Sequence, residues 1–151
     1  PRDRLYKGML INTVLKSCDR EKNRIFVTMR ELLGTWEENA AMFAPGQTVT
    51  GIIRSVEDYG VFVELTPNLA GLAELKDASS MEMVQPNRCA AVYIKSIIPE
   101  RMKIKLVLID TYPNEESILK LNYFVDTAQT EHISSWQYSP ACCPRIIKTE
   151  F

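Results

Sequence analysis

The chain has 151 residues, 46% hydrophobic and 25% charged, and its 18 basic side chains nearly balance 19 acidic ones for a net charge of −1. That length fits one domain, or one domain with a companion piece, and the composition can bury a real core. The balance counts against strong, non-specific binding to phosphate backbones but not against weak or aromatic-driven binding, and no apolar run approaches the ~18 residues of a membrane span.

The start, Pro1-Arg2-Asp3-Arg4, has no secretory apolar region and no initiator Met, which reads as a piece of a longer chain or a processed one. Residues 6 to 30 then read as a hairpin. Leu10, Ile11, Val14 and Leu15 make a β-rich run, Asp19 to Asn23 break it, and Arg24 to Met29 resume it. A lone hairpin is marginal in water, so it needs a partner surface.

Gly34 punctuates the chain, and Thr35 with Glu38 three residues on forms a capping box. The spacing predicts a helix of about two turns from Trp36 to Phe43, stopped by Pro45-Gly46.

From Gln47 the period drops to two. Val49, Gly51 and Ile53 share one face of a first strand, whereas Val56 falls on the opposite parity. Such a change predicts a bulge, the device by which barrels turn corners. In the second strand, Tyr59 to Leu65, Val61, Val63 and Leu65 point one way while Phe62 and Glu64 point the other. Thr66-Pro67-Asn68 is a turn. Ala70 to Leu75 is a third strand, residues 77 to 87 read as an irregular stretch with a short helical turn, and Arg88 to Ile98 is a fourth strand. Pro99-Glu100-Arg101 turns the chain into a fifth strand, Lys103 to Ile109. Five short or coiled strands without βαβ spacing point to a mainly β fold built on a small barrel.

The tail reads two ways. Ile118, Leu121 and Val125 fit a helix, and Leu119, Leu121, Tyr123 and Val125 fit a strand; a strand near 119 to 125 is the expectation. Trp136, Tyr138, Ile146, Ile147 and Phe151 make the end too apolar for a disordered tail. Packing against the N-terminal hairpin would cover it.

Cys18, Cys89, Cys142 and Cys143 contain no CxxC pair, and His132 is the only histidine, so neither a metal site nor a cofactor is expected. Adjacent Cys142 and Cys143 are poorly placed for a mutual disulfide. Reduced, mostly buried thiols in a cytoplasmic protein are the reading. His132 reads as a local hydrogen-bonding group, and Glu115-Glu116 as a helix-start or loop signal rather than a catalytic pair. No nucleophile elbow, zinc-helix, P-loop or dinucleotide motif is present, so the chain is not expected to be an enzyme.

The run Pro45-Gly46-Gln47-Thr48-Val49-Thr50-Gly51, then Tyr59-Gly60-Val61-Phe62-Val63-Glu64-Leu65, then Ala70-Gly71-Leu72-Ala73-Glu74-Leu75 resembles the S-one domain. This is the RNA-binding repeat of the largest small-subunit ribosomal protein, found also in polynucleotide phosphorylase. The resemblance implies a five-stranded OB-type barrel over residues 46–110. Residues 1–33 resemble the closing hairpin of a preceding repeat, residues 34–45 the helical linker between repeats, and residues 111–151 remain as a C-terminal extension packing on the hairpin.

A single-stranded base offers a π-face whatever its identity, and an exposed aromatic on a rigid strand can stack on it for ~1–3 kcal/mol. Phe62 is such a residue, since Val61 and Val63 take the core side. Tyr59 sits at the strand's mouth beside Gly60, whose missing side chain lets a backbone come close. Lys103 and Lys105, with Arg54 and Lys95, are candidates for phosphate contact. The resemblance puts Tyr59 and Phe62 at the family's aromatic positions and Lys103 at its arginine position. Glu74 stands where the family often has histidine, and Pro99 where it often has aspartate. Glu74, with Glu64 and Asp77 nearby in sequence, places negative charge by the expected phosphate path.

Plainer readings stand beside these: Tyr59 and Phe62 as ordinary barrel aromatics, Lys103 and Lys105 as a solvated face that deters edge pairing, and Glu74 as a surface residue. The resemblance implies a cytoplasmic, multi-repeat protein that binds single-stranded RNA in translation, capturing mRNA on the small ribosomal subunit. Small-subunit proteins would be further partners, with no membrane and no small-molecule substrate. The rivals are a protein-docking barrel with little RNA affinity and an accessory domain of a ribonuclease.

Overall fold

Side chains that alternate in and out along successive strands can bury one face only if the sheet curls onto itself or finds a cover. Here it curls. The computed structural model of the chain describes residues 4–75, 84–114 and 121–151. Five strands, β3 (Thr48–Glu57), β4 (Gly60–Thr66), β5 (Leu69–Glu74), β6 (Cys89–Ile98) and β7 (Lys103–Tyr112), form a closed barrel in the order β3-β4-β5-β7-β6. Neighbours are antiparallel except β5 and β7, which run parallel. The fold is mainly β, as the alternation predicts.

The interior is filled by Ile53, Val61, Val63, Leu69, Ala73, Ala90, Val92, Ile94, Ile104 and Leu106, each at most 1% exposed. Gly71 makes room for Leu106, because a Cβ there would stand 2.6 Å from a Leu106 methyl. The parity change in β3 is a bulge: Ile53 faces Val63, but the next paired residues are Ser55 and Phe62, so Arg54 is the extra residue. Val56, opposite Val61, thereby returns to the core. A second irregularity in β6 makes Lys95 the extra residue between Ile94 and Ser96.

The connector helix α1 (Trp36–Ala40) begins at the expected capping box. Glu38 N–H donates to Thr35 Oγ1 (3.2 Å), and Thr35 N–H donates to Glu38 Oε2 (2.8 Å). The helix is shorter than the composition predicts, ending at Ala40 rather than Phe43. Its value lies in Trp36, which is 2% exposed and belongs to the barrel's core cluster.

The N-terminal hairpin pairs β1 (Val14–Asp19) with β2 (Arg24–Thr28) and shares no ladder with the barrel. Residues 9–13 lie outside the strand that Leu10 and Ile11 were expected to open. The tail contributes a separate two-stranded ladder, β8 (Ser135–Gln137) with β9 (Lys148–Glu150). Tail and hairpin region meet through Phe124 N–H to Leu32 O (2.8 Å) and Asn12 N–H to Tyr123 Oη (3.1 Å). Trp36 N–H donates to Tyr138 O (3.0 Å), tying the tail to the connector as well.

Several expectations need correction. Residues 121–125 form no strand, because Phe124 is engaged with Leu32 and packs where a Gly34 side chain would be, 2.7 Å from its Cβ position. Leu119 and Ile118, like Glu115-Glu116, lie outside the described residues. So does most of the 77–87 stretch, including Asp77; its described end, 84–87, contains a turn at Pro86-Asn87. The cysteines form no disulfide among the described residues, and they are not mostly buried: Cys18 and Cys142 are exposed, Cys89 is intermediate, and Cys143 is buried.

Candidate functional site

Strand register fixes which outward side chains are neighbours. Ser55 opposes Phe62, Phe62 opposes Leu72, Leu72 opposes Lys105, and Lys105 opposes Ser96. One continuous row therefore crosses all five strands on the outside of the barrel. Phe62 and Lys105 lie two strand spacings apart in it, about 10 Å. Phe62 is half-buried and Lys105 exposed.

The other predicted residues sort around this row. Tyr59, in the β3–β4 turn and 63% exposed, meets Phe62 edge-to-face with ring centroids 6.2 Å apart and planes at 87°. Such a T-shaped pair holds the Phe62 ring in place. Lys103 lies two residues before Lys105 on the same exposed side of β7, and Lys95 sits at the β6 bulge beside Ser96. Glu74 is exposed on β5 opposite Val107, two residues beyond Leu72 and level with the Tyr59-Gly60 turn. Tyr59, Phe62, Lys95, Lys103, Lys105 and Glu74 thus share one flank of the barrel, with the cations and Glu74 at different heights.

Arg54 is placed differently. Its Nε donates to Glu64 Oε2 (2.6 Å), and its Nη2 stands 2.5 Å from the same oxygen. Arg4 Nη2 takes Glu64 Oε1. Glu64 is outward on β4 yet only 3% exposed, so its charge is matched by two guanidinium groups instead of standing open on a phosphate path. Sequence reasoning missed Arg4, which lies 60 residues from its partner and carries no local signal.

Gly60 also has a different reason than expected. A Cβ there would come within 2.6 Å of Ala73 O. The close backbone that Gly60 admits is the chain's own β5.

A second aromatic group lies at the end of this flank, where the tail crosses the barrel. Tyr138 donates its hydroxyl hydrogen to Asn68 O (2.5 Å), and Asn68 Nδ2 donates to Arg30 O (2.8 Å) and Gly34 O (2.9 Å). The Arg30 guanidinium lies 4.9 Å from the Tyr138 ring centroid and 6.0 Å from that of Trp136. Burial raises the Tyr138 phenol above its ordinary pKa, with Arg30 opposing that shift. Among the described residues, no group of three or more His, Cys, Asp or Glu is arranged to hold a metal ion. No helix among them is long and apolar enough to cross a membrane.

No family model matches the chain. Among solved structures, an uncharacterized protein from Methanocaldococcus jannaschii superposes with a TM-score of 0.41 at 23% identity, covering 44% of this chain and 93% of that one. GSP13 from Bacillus subtilis superposes with a TM-score of 0.39 at 26% identity, covering 44% and 55%. By sequence, the chain is 29% identical over 119 residues to small ribosomal subunit protein bS1 of Leuconostoc lactis, covering 78% of this chain and 26% of that protein. It is 24% identical over 140 residues to the bS1 homolog of Bacillus subtilis, covering 91% and 35%. The chain therefore spans roughly a quarter to a third of the length of these curated relatives. By sequence the chain is thus similar to bS1 ribosomal proteins at modest identity, and its closed five-stranded barrel agrees with the S-one-domain resemblance.

Proposed function

We propose that this chain binds single-stranded RNA in translation, on the outward flank of β4, β5 and β7. The observation that carries the reading is the cross-strand row: an aromatic braced by Tyr59 stands in line with Lys105 on a rigid, closed scaffold. Bases would stack on Phe62 and Tyr59 while Lys103, Lys105 and Lys95 meet phosphates. Arg54 would act at a remove, holding Glu64 neutralised at the edge of that flank. Glu74 would weaken the affinity by repelling phosphate.

The likeness to bS1 proteins supports a place in a multi-repeat ribosomal protein of the cytoplasm, with mRNA and small-subunit proteins as partners. The Bacillus match takes in 91% of the chain, well beyond the barrel. That supports reading β1 and β2 as the closing strands of a preceding repeat and residues 34–45 as its linker. The rival reading, a barrel that docks protein, draws on the net charge of −1 and on exposed Glu74.

The test is fluorescence anisotropy of labelled oligouridylate at low and physiological salt, with Phe62→Ala and Lys105→Glu alongside. Saturable binding that weakens by about five- to a hundredfold in Phe62→Ala is expected, from the worth of one stacked base. Lys105→Glu should weaken binding and flatten its salt dependence. A folded protein that binds no RNA at low salt would leave protein docking as the account of this flank.

A further inference from the structure

The tail and the N-terminal segment border an open cavity of about 550 Å³ at one end of the barrel flank, lined by Arg4, Arg30, Arg54, Glu64, Asn68 and Tyr138 among others. Three arginines and one glutamate are among the residues lining it, in a chain whose overall charge is −1. Glu64 neutralises only part of this charge, and both of its oxygens are taken by Arg4 and Arg54. Arg30 is exposed, and among the described residues its side chain has no acceptor and no carboxylate partner. What holds it is the face of Tyr138, with Trp136 beyond at a ring-to-ring distance of 5.9 Å. A guanidinium stacked in this way keeps its N–H edges directed outward in a plane, the geometry that takes a phosphate by two parallel hydrogen bonds.

The position matters as much as the charge. Glu64 lies two residues from Phe62 on the same outward side of β4, and Ala70 opposite it lies two residues from Leu72. The cavity therefore begins about 7 Å along the strand from the stacking residue. We propose that this cavity is a second nucleotide subsite: Arg30 holds a phosphate of the RNA strand as it leaves the barrel flank, and half-buried Trp136, outside the cavity's lining but 6.0 Å from the Arg30 guanidinium, stacks on the adjoining base. This rests on the reading of the flank as an RNA surface. It assigns the C-terminal extension a role in binding that the barrel alone does not have.

The experiment uses the full chain, a short oligouridylate that spans only the barrel flank, and a longer one that continues past it. Anisotropy and tryptophan emission are read for wild type, Arg30→Gln, Trp136→Phe and Phe62→Ala. Arg30→Gln removes an exposed side chain without hydrogen bonds, and circular dichroism checks that each variant is folded. The expected result has Arg30→Gln binding the long RNA about three- to tenfold more weakly and the short RNA unchanged. Its slope of log affinity against log salt should fall by about 0.7, one phosphate contact on a single strand. Long RNA should quench wild-type emission but not that of Trp136→Phe, since the remaining Trp36 is buried. If Arg30→Gln and Trp136→Phe match wild type while Phe62→Ala is weakened, the subsite is wrong and the barrel flank stands. If Phe62→Ala alone is silent, the flank reading fails, and the cavity binds RNA without being the second subsite proposed. Wild type binding neither RNA at low salt overturns both.

Discussion

The barrel and the N-terminal hairpin are built from the same kind of strand, yet they end in opposite states. In the barrel, alternate residues are sealed inside a closed sheet, and Val61, Val63, Val92 and Ile94 are fully buried. In the hairpin, Leu15, Ile25, Phe26 and Val27 remain between 51% and 67% exposed. The difference lies in closure rather than composition. A five-stranded cylinder gives every inward side chain a wall, whereas two strands have no inside. Apolar strand sequence thus becomes stability only where topology supplies the opposite wall.

The sharpest way to break this comparison is Leu106→Ala against Ile25→Ser. Leu106, 1% exposed and nested over Gly71, should cost about 2–5 kcal/mol in urea unfolding. Next, Glu64→Gln should cost about 1–3 kcal/mol, since it leaves the largely enclosed Arg54 without its counter-charge; a cost near zero would mean water already screens that pair. Smaller still is an alkaline effect at the tail's anchor. Burial raises the folded pKa of Tyr138 above 10.0, so its contribution to stability is whole below that value and is lost as pH rises through the folded one. Tyr138→Phe should lack this drop in a pH series of unfolding midpoints. Ile25→Ser should change stability by less than about 0.5 kcal/mol, and a loss comparable to Leu106→Ala would show that something covers the hairpin in solution.

The barrel was legible because its signals are local and redundant: a two-residue period, turn residues between strands, and a parity change at Arg54 that the bulge explains. The connector was legible for a similar reason, since Thr35 and Glu38 are three residues apart and touch. Phe62 could be placed outward by parity alone. Its alignment with Lys105 could not, because that needs the parallel pairing of β5 with β7, which no spacing announces. The Arg4–Glu64 contact and the Arg30–Tyr138 stack span 60 and 108 residues and depend on the finished fold. The β8–β9 ladder was missed because each strand has three residues and Pro140 and Pro144 interrupt the span between them.

Asn68 binds the carbonyls of Arg30 and Gly34 with its side chain and takes the Tyr138 hydroxyl on its own carbonyl. In mechanical terms it is a pin through three layers, and it sits in the tight turn between β4 and β5. Tension applied to the segments on either side of the barrel would converge on that turn, and the N-terminal hairpin, which shares no ladder with the barrel, would peel before the cylinder was strained. Under load this chain would then lengthen by yielding at its hairpin, while the outward row from Phe62 to Lys105 kept its shape.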